Sequence, residues 1–202
     1  MRVKIPWTIP NILTAIRLFA IPFMAVFIHA SGRPGEKGHY YSILAFCFFA
    51  GIWLTDAADG FIARRFNQVS EFGKIFDPLV DKLFQFTTAL MMLLIGRIPL
   101  WVVIFIVVKE MIMIVGGTYL LKKHKIVVHS KWYGKLSTVL FVLALASVFF
   151  IQHDFPDNWC LITNLVFVLP VLMSSYATVC YGVTMIKDSS KLADPGNRTT
   201  KT

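Results

Sequence analysis

Asp56 to Lys82 reads D-A-A-D-G-F-I-A-R-R-F-N-Q-V-S-E-F-G-K-I-F-D-P-L-V-D-K. Four of the chain's eleven acidic residues, Asp56, Asp59, Asp77 and Asp81, stand here in segments otherwise apolar enough to enter a membrane. Asp56 and Asp59 are three apart, and Asp77 and Asp81 are four apart, so on helices each pair shares one face about a turn apart. Ionised carboxylates at membrane depth are costly unless something positive compensates them. Two facing pairs form an oxygen cage suited to a hard divalent cation. Alone, Asp59-Gly60 reads as a turn and Asp77-Pro78 as a helix start, and one intramembrane Asp as a hydrogen-bond partner or proton relay. Four at these spacings, each pair near a glycine, are not accounted for that way.

The surroundings fit a membrane. Of 202 residues 56% are hydrophobic and only 15% charged, and the mean hydropathy is +0.67; soluble domains sit near a quarter charged. No room remains for a second sizeable domain, and no cleavable signal is expected at the start. Cys47, Cys160 and Cys180 lie in or beside apolar runs without metal-type spacing, so buried, unpaired thiols are expected. The net charge of +9 is not spread along one soluble face. It falls between apolar runs, which argues for membrane topology and anionic lipid and against nucleic acid.

The expected fold is an all-α integral membrane protein with six transmembrane helices and both termini cytoplasmic. Residues 1–10 form a basic juxtamembrane segment with Trp7 at headgroup level, 11–186 the six-helix domain, and 187–202 a polar, frayed cytoplasmic tail. The spans cover about 11–30, 39–65, 73–95, 100–121, 131–151 and 159–186, near the 20 or so residues a bilayer requires. Pro22 is accommodated as a kink. Lys and Arg fix the orientation: fourteen fall on the side of the two termini and three (Arg33, Lys37, Arg97) on the other. That bias puts the carboxylates at the cytoplasmic mouth of a cell-membrane protein.

On the second helix Asp56, Asp59, Gly60 and Ala63 share one face, and the small residues permit close approach. Arg64 near its end suits a phosphate oxygen. On the third, Gly73, Asp77 and Asp81 recur every four residues, and antiparallel packing across the short 66–72 link brings the faces together. Carboxylates, small residues and an arginine around a metal are the parts of a phosphate-transfer site, with one carboxylate free to accept a proton.

These residues carry a resemblance. The order D-x2-D-G-x2-A-R-x8-G-x3-D-x3-D, here Asp56, Asp59, Gly60, Ala63, Arg64, Gly73, Asp77 and Asp81, is similar to the signature of the CDP-alcohol phosphatidyltransferases, with every position filled. The six-span layout extends the resemblance over most of the chain. It implies that Asp56, Asp59 and Asp77 ligate Mg²⁺ or Mn²⁺, two ions in all. Asp81 would be the catalytic base and could also touch the second ion. Asp56, Asp59, Gly60, Ala63, Arg64, Gly73 and Lys74 would hold CDP-diacylglycerol. The implied reaction is attack of an acceptor hydroxyl on the phosphorus bearing the diacylglycerol, with CMP leaving, in a homodimeric enzyme surrounded by membrane lipid.

The acceptor is a polar or lipid alcohol. I-P-N-I-L-T-A-I-R at Ile9 to Arg17, the wording around the central motif, and K-E-M-I at Lys109 to Ile112 resemble family members that use glycerol 3-phosphate. Arg17, Lys109 and Lys135 are then candidate cations for its phosphate. Arg17 and Lys109 lie within spans, where charge is unusual; Lys135 also reads as plain positive-inside charge. Two departures weaken phosphate binding. Ser137 stands where a second lysine is expected, and Lys109 replaces an arginine and cannot offer its fork. Members that use phosphatidylglycerol, the cardiolipin-forming ones, are the alternative acceptor class. A small membrane cation transporter is the alternative of another kind, opposed by the absence of a polar path through the outer half of the spans.

Overall fold

A computed structural model describes residues 9–65, 71–124, 132–154 and 158–193. Six helices occupy them: α1 (Ile9–Ser31), α2 (Glu36–Arg65), α3 (Glu71–Leu94), α4 (Leu100–His124), α5 (Trp132–Asp154) and α6 (Trp159–Ala193). No strand occurs among the described residues. Each helix coincides with an expected span, and α1 keeps Pro22 inside it. Four are long and apolar enough to cross a membrane: Ile12–Ser31, Glu36–Asp56, Trp132–Ile151 and Trp159–Thr184. Their outward faces are apolar, as at Phe19, Phe23 and Val26 on α1. This is an all-helical, multi-pass membrane protein.

Two expectations are corrected. The polar segment after residue 186 is not frayed over its first part, because α6 runs on to Ala193. Nothing between Lys187 and Ala193 breaks a helix, since the run holds neither proline nor glycine. The cysteines form no disulfide among the described residues, but they are not buried as expected: Cys47 and Cys160 are exposed and Cys180 is partly so. A weakly polar thiol fits an outward face that itself meets hydrocarbon.

The chain divides into two compact units. Met1–Leu100 with Leu145–Thr163 form one, and Trp101–Ala144 with Asn164–Thr202 form the other. In the first, α1 packs against both α2 and α3. The buried positions of α1 are Thr14, Arg17, Ile21, Met24, Ile28 and Ser31, alternating three and four apart as a helix seam requires. On α2, Ser42, Ala45, Phe49 and Ile52 are buried at the same rhythm, and Asp56 follows four residues later. Thr14 meets Asp77, Arg17 meets Asp81 and Met24 meets Thr88; this constant offset makes α1 and α3 parallel neighbours. Arg17 meets Asp56 while Phe27 meets Phe48, so α2 runs antiparallel to α1. All three seams therefore finish in polar residues at one end.

The other end of this unit is closed by Arg97. Gly96 has φ 75°, and its N–H donates to the Leu93 carbonyl at 2.9 Å while that of Arg97 donates to Met92 at 2.8 Å. This is a Schellman ending, which favours glycine at the left-handed position. It turns Arg97 inward, where Nη1 donates to Ser42 Oγ (2.7 Å) and the Phe149 carbonyl (3.4 Å), and Nη2 to the Ser31 carbonyl (2.9 Å). Burial lowers the pKa of this guanidinium, whose ordinary value is too high for that to cost it its charge.

In the second unit, Tyr133, Ala177 and Tyr181 form a small core. Phe105 stacks on Phe141, which meets Phe167. Trp101 donates to Asn164 Oδ1 at 2.8 Å.

Candidate active site

The polar end of the α1, α2 and α3 seams gathers three of the four signature carboxylates onto two side chains of α1. Arg17 Nη1 donates to Asp56 Oδ1 at 2.6 Å and to Asp81 Oδ1 at 2.8 Å. Thr14 Oγ1 donates to Asp77 Oδ1 at 2.6 Å and accepts a longer contact, 3.5 Å, from Arg17 Nη2. The chain Asp77–Thr14–Arg17–Asp56/Asp81 thus joins residues up to 64 positions apart. Thr14 and Arg17 are one turn apart on α1, on the face that its apolar core residues press against α2 and α3, so packing holds both in place.

Exposure is divided in an informative way. The Arg17 side chain is 2% exposed, whereas Asp56 is 40% and Asp81 47% exposed. The guanidinium forms the back of the site and the carboxylates open outward. A buried cation of this kind is stable only with anions at hand, and the pairs answer that need in both directions.

Asp59, Gly60, Ala63 and Arg64 fall on the last turns of α2, and Gly73 and Lys74 on the first turn of α3. Their side chains lie outside the described residues. Among the described residues no three His, Cys, Asp or Glu side chains are placed to hold an ion. The donors gathered here are all carboxylate oxygens: those of Asp56 and Asp81 meet at one guanidinium nitrogen, and that of Asp77 is held by the Thr14 hydroxyl. Oxygen donors of this kind are what Mg²⁺ and Mn²⁺ take.

The remaining candidates belong to the second unit. Lys109 Nζ lies 3.1 Å from Glu110 Oε1 and 5.6 Å from the centre of the Phe141 ring, a cation–π distance. Lys135 is exposed near the start of α5 and Ser137 is buried. Gly134 lies against Tyr181, whose hydroxyl would stand 2.5 Å from a Cβ placed there.

Thr14 was not among the candidates read from the sequence. Its signal was its place one turn before Arg17, on the same seam as Ile21 and Met24. A hydroxyl in an apolar helix is so common that only its buried contact with Asp77 marks it out.

A model of the CDP-alcohol phosphatidyltransferase family matches residues 7–176, a range that holds Thr14, Arg17 and every carboxylate of the cluster. The chain belongs to the CDP-alcohol phosphatidyltransferase family. It is therefore a membrane transferase of phospholipid synthesis. Among its relatives, the CDP-diacylglycerol–glycerol-3-phosphate 3-phosphatidyltransferase of Aquifex aeolicus is 30% identical over 175 residues, covering 86% of this chain and 93% of that one. The enzyme of the same name from Cereibacter sphaeroides is 41% identical over 76 residues, 38% of this chain and 32% of its own. The CMP-forming cardiolipin synthase of Streptomyces coelicolor is 32% identical over 120 residues, 58% and 53% of the two chains. Two of these names specify glycerol 3-phosphate and the third cardiolipin.

Proposed function

We propose that this phosphatidyltransferase moves the phosphatidyl group of CDP-diacylglycerol onto a hydroxyl of glycerol 3-phosphate, releasing CMP. The observation that carries the reading is the convergence of Asp56, Asp77 and Asp81 on Thr14 and Arg17. The choice of glycerol 3-phosphate draws support from the Aquifex relative, named for that acceptor and matched nearly end to end.

Asp56, Asp59 and Asp77, with Asp81 at its edge, are the residues that would hold two Mg²⁺ or Mn²⁺ ions. Bound there, such ions would supply positive charge to the diphosphate and to the departing CMP. Gly60 and Ala63 leave room for the CDP moiety, and Arg64, Gly73 and Lys74 bind around it. Asp81, half exposed, takes the proton of the acceptor hydroxyl. The hydroxyl oxygen bonds to the phosphorus bearing the diacylglycerol while the bond from that phosphorus to the CMP oxygen breaks. Lys109 and Lys135 serve the acceptor's phosphate. Six crossings with both termini cytoplasmic follow from the fourteen-to-three distribution of Lys and Arg, which opens the site to the cytoplasm. The assembly is a homodimer.

The second reading keeps the chemistry and takes phosphatidylglycerol as acceptor; the Streptomyces relative favours it. An acceptor screen tests both. Purified protein receives CDP-diacylglycerol, Mn²⁺ and, separately, glycerol 3-phosphate, phosphatidylglycerol, serine or inositol phosphate, and CMP release is measured. Release with glycerol 3-phosphate alone is the expected result. Release only with phosphatidylglycerol selects the second reading, and no release with any acceptor rejects phosphatidyl transfer.

A further inference from the structure

We infer that Arg17, with Thr14, is a positioning pair that fixes the carboxylates from behind and thereby sets the affinity of the site for its divalent cation. The inference rests on the metal-dependent reading above and assigns Arg17 a task other than gripping the acceptor phosphate.

Three observations carry it. Arg17 is almost wholly buried while its two carboxylate partners open outward, so the guanidinium stands on the side away from incoming substrate. Its Nη1 donates to Oδ1 of Asp56 and to Oδ1 of Asp81. An ionised carboxylate has two oxygens and about four acceptor positions, so a bond to one oxygen orients such a group without exhausting it. Thr14 does the same to Asp77 through its Oδ1. Three carboxylates and one guanidinium together carry a net charge of −2, which attracts a divalent cation. Without the guanidinium, three negative charges would repel one another across α2 and α3. An acceptor phosphate would have to compete with two carboxylates for Arg17.

Such outer contacts orient metal ligands, and losing one typically costs about 10- to 100-fold in metal affinity. Both side chains are fixed by the helix seam they continue, with Ile21, Met24 and Ile28 buried above them. The pair therefore acts as part of a rigid helix face.

The test is Mn²⁺ binding to the purified full-length protein, read by electron paramagnetic resonance without turnover, beside the melting temperature in EDTA. Arg17→Gln is expected to bind Mn²⁺ about 10- to 100-fold more weakly. Arg17→Lys should fall between it and wild type, because an ammonium lacks the planar fork. Thr14→Val should weaken binding by less than Arg17→Gln. Met24→Ala, a cavity in the same helix two turns away, lowers the melting temperature and leaves Mn²⁺ affinity within about twofold. An Arg17→Gln protein that binds Mn²⁺ as tightly as wild type, or more tightly, overturns the inference, as does a Met24→Ala protein that loses as much affinity as Arg17→Gln. If Arg17→Gln does not fold, Arg17→Lys decides, and wild-type affinity there overturns it. Wild-type protein that binds no Mn²⁺ sinks the metal-dependent reading itself and this inference with it.

Discussion

Asp81 and Asp56 share one guanidinium nitrogen, yet the proposed chemistry gives them different work. Asp81→Asn keeps the shape of the side chain and an oxygen that can accept from Arg17, so the fold should survive. It removes the proton acceptor, and general-base catalysis contributes about 10²- to 10⁴-fold. CMP release should therefore fall by about that factor, while CDP-diacylglycerol binding changes little; near-normal turnover would refute the assignment. Asp56→Ala should weaken the metal dependence as well as the rate, as a titration of CMP release against Mn²⁺ would show. Lys109 illustrates what a sequence leaves open. Its charge at membrane depth was legible and Glu110 is its neighbour in sequence, but its place over the Phe141 ring depends on α4 and α5 lying side by side. Lys109→Ala should raise the KM for glycerol 3-phosphate at least several-fold if it also reaches the acceptor, and an unchanged KM removes it from the site.

At the scale of elements, helices were the most legible part, because 20-residue apolar runs between Gly, Pro and charged loops leave little choice in a bilayer. Their ends were less so. The α6 extension to Ala193 was missed because a polar composition resembles a loop even where nothing interrupts the helix. The α3 ending repays a test. Gly96 at φ 75° would force any Cβ into the left-handed region, which costs about 1 kcal/mol. Gly96→Ala should lower the melting temperature by several degrees and leave Mn²⁺ affinity unchanged, since the turn lies at the far end of the unit from the carboxylates. Arg97→Ala removes the bonds to Ser31, Ser42 and Phe149. The Phe149 carbonyl and the Ser42 hydroxyl keep each other while the Ser31 carbonyl loses this donor, so at about 1 kcal/mol for each buried partner left wanting the expected loss is about 1 to 2 kcal/mol, measurable in a denaturation series.

For the molecule as a whole, the distribution of Lys and Arg makes a prediction about orientation. In a background with Cys47, Cys160 and Cys180 replaced by serine, a cysteine introduced for Lys201 should resist a membrane-impermeant maleimide in intact cells. One introduced for Arg33 should react. The opposite pattern would turn the site to the outside and exclude cytosolic substrates. The outward apolar faces of the helices are indifferent to direction, so only the flanking charges decide it.

The sequence alone determined the membrane class, the six helices, the spacing of the carboxylates and, through eight filled signature positions, the family and its chemistry. These are short-range properties: hydropathy over a span, and residue type at fixed offsets along a helix. Only the tertiary structure decided which cation meets those carboxylates and that Thr14 belongs with it. Arg17 could have served a lipid phosphate, an acceptor or a neighbouring carboxylate, since Coulomb attraction carries no address. The address is the register of α1 against α2 and α3, set by the packing of Ile21, Met24, Phe49, Val80 and Phe84. That packing brings residues 39 and 64 positions away to one nitrogen of one arginine.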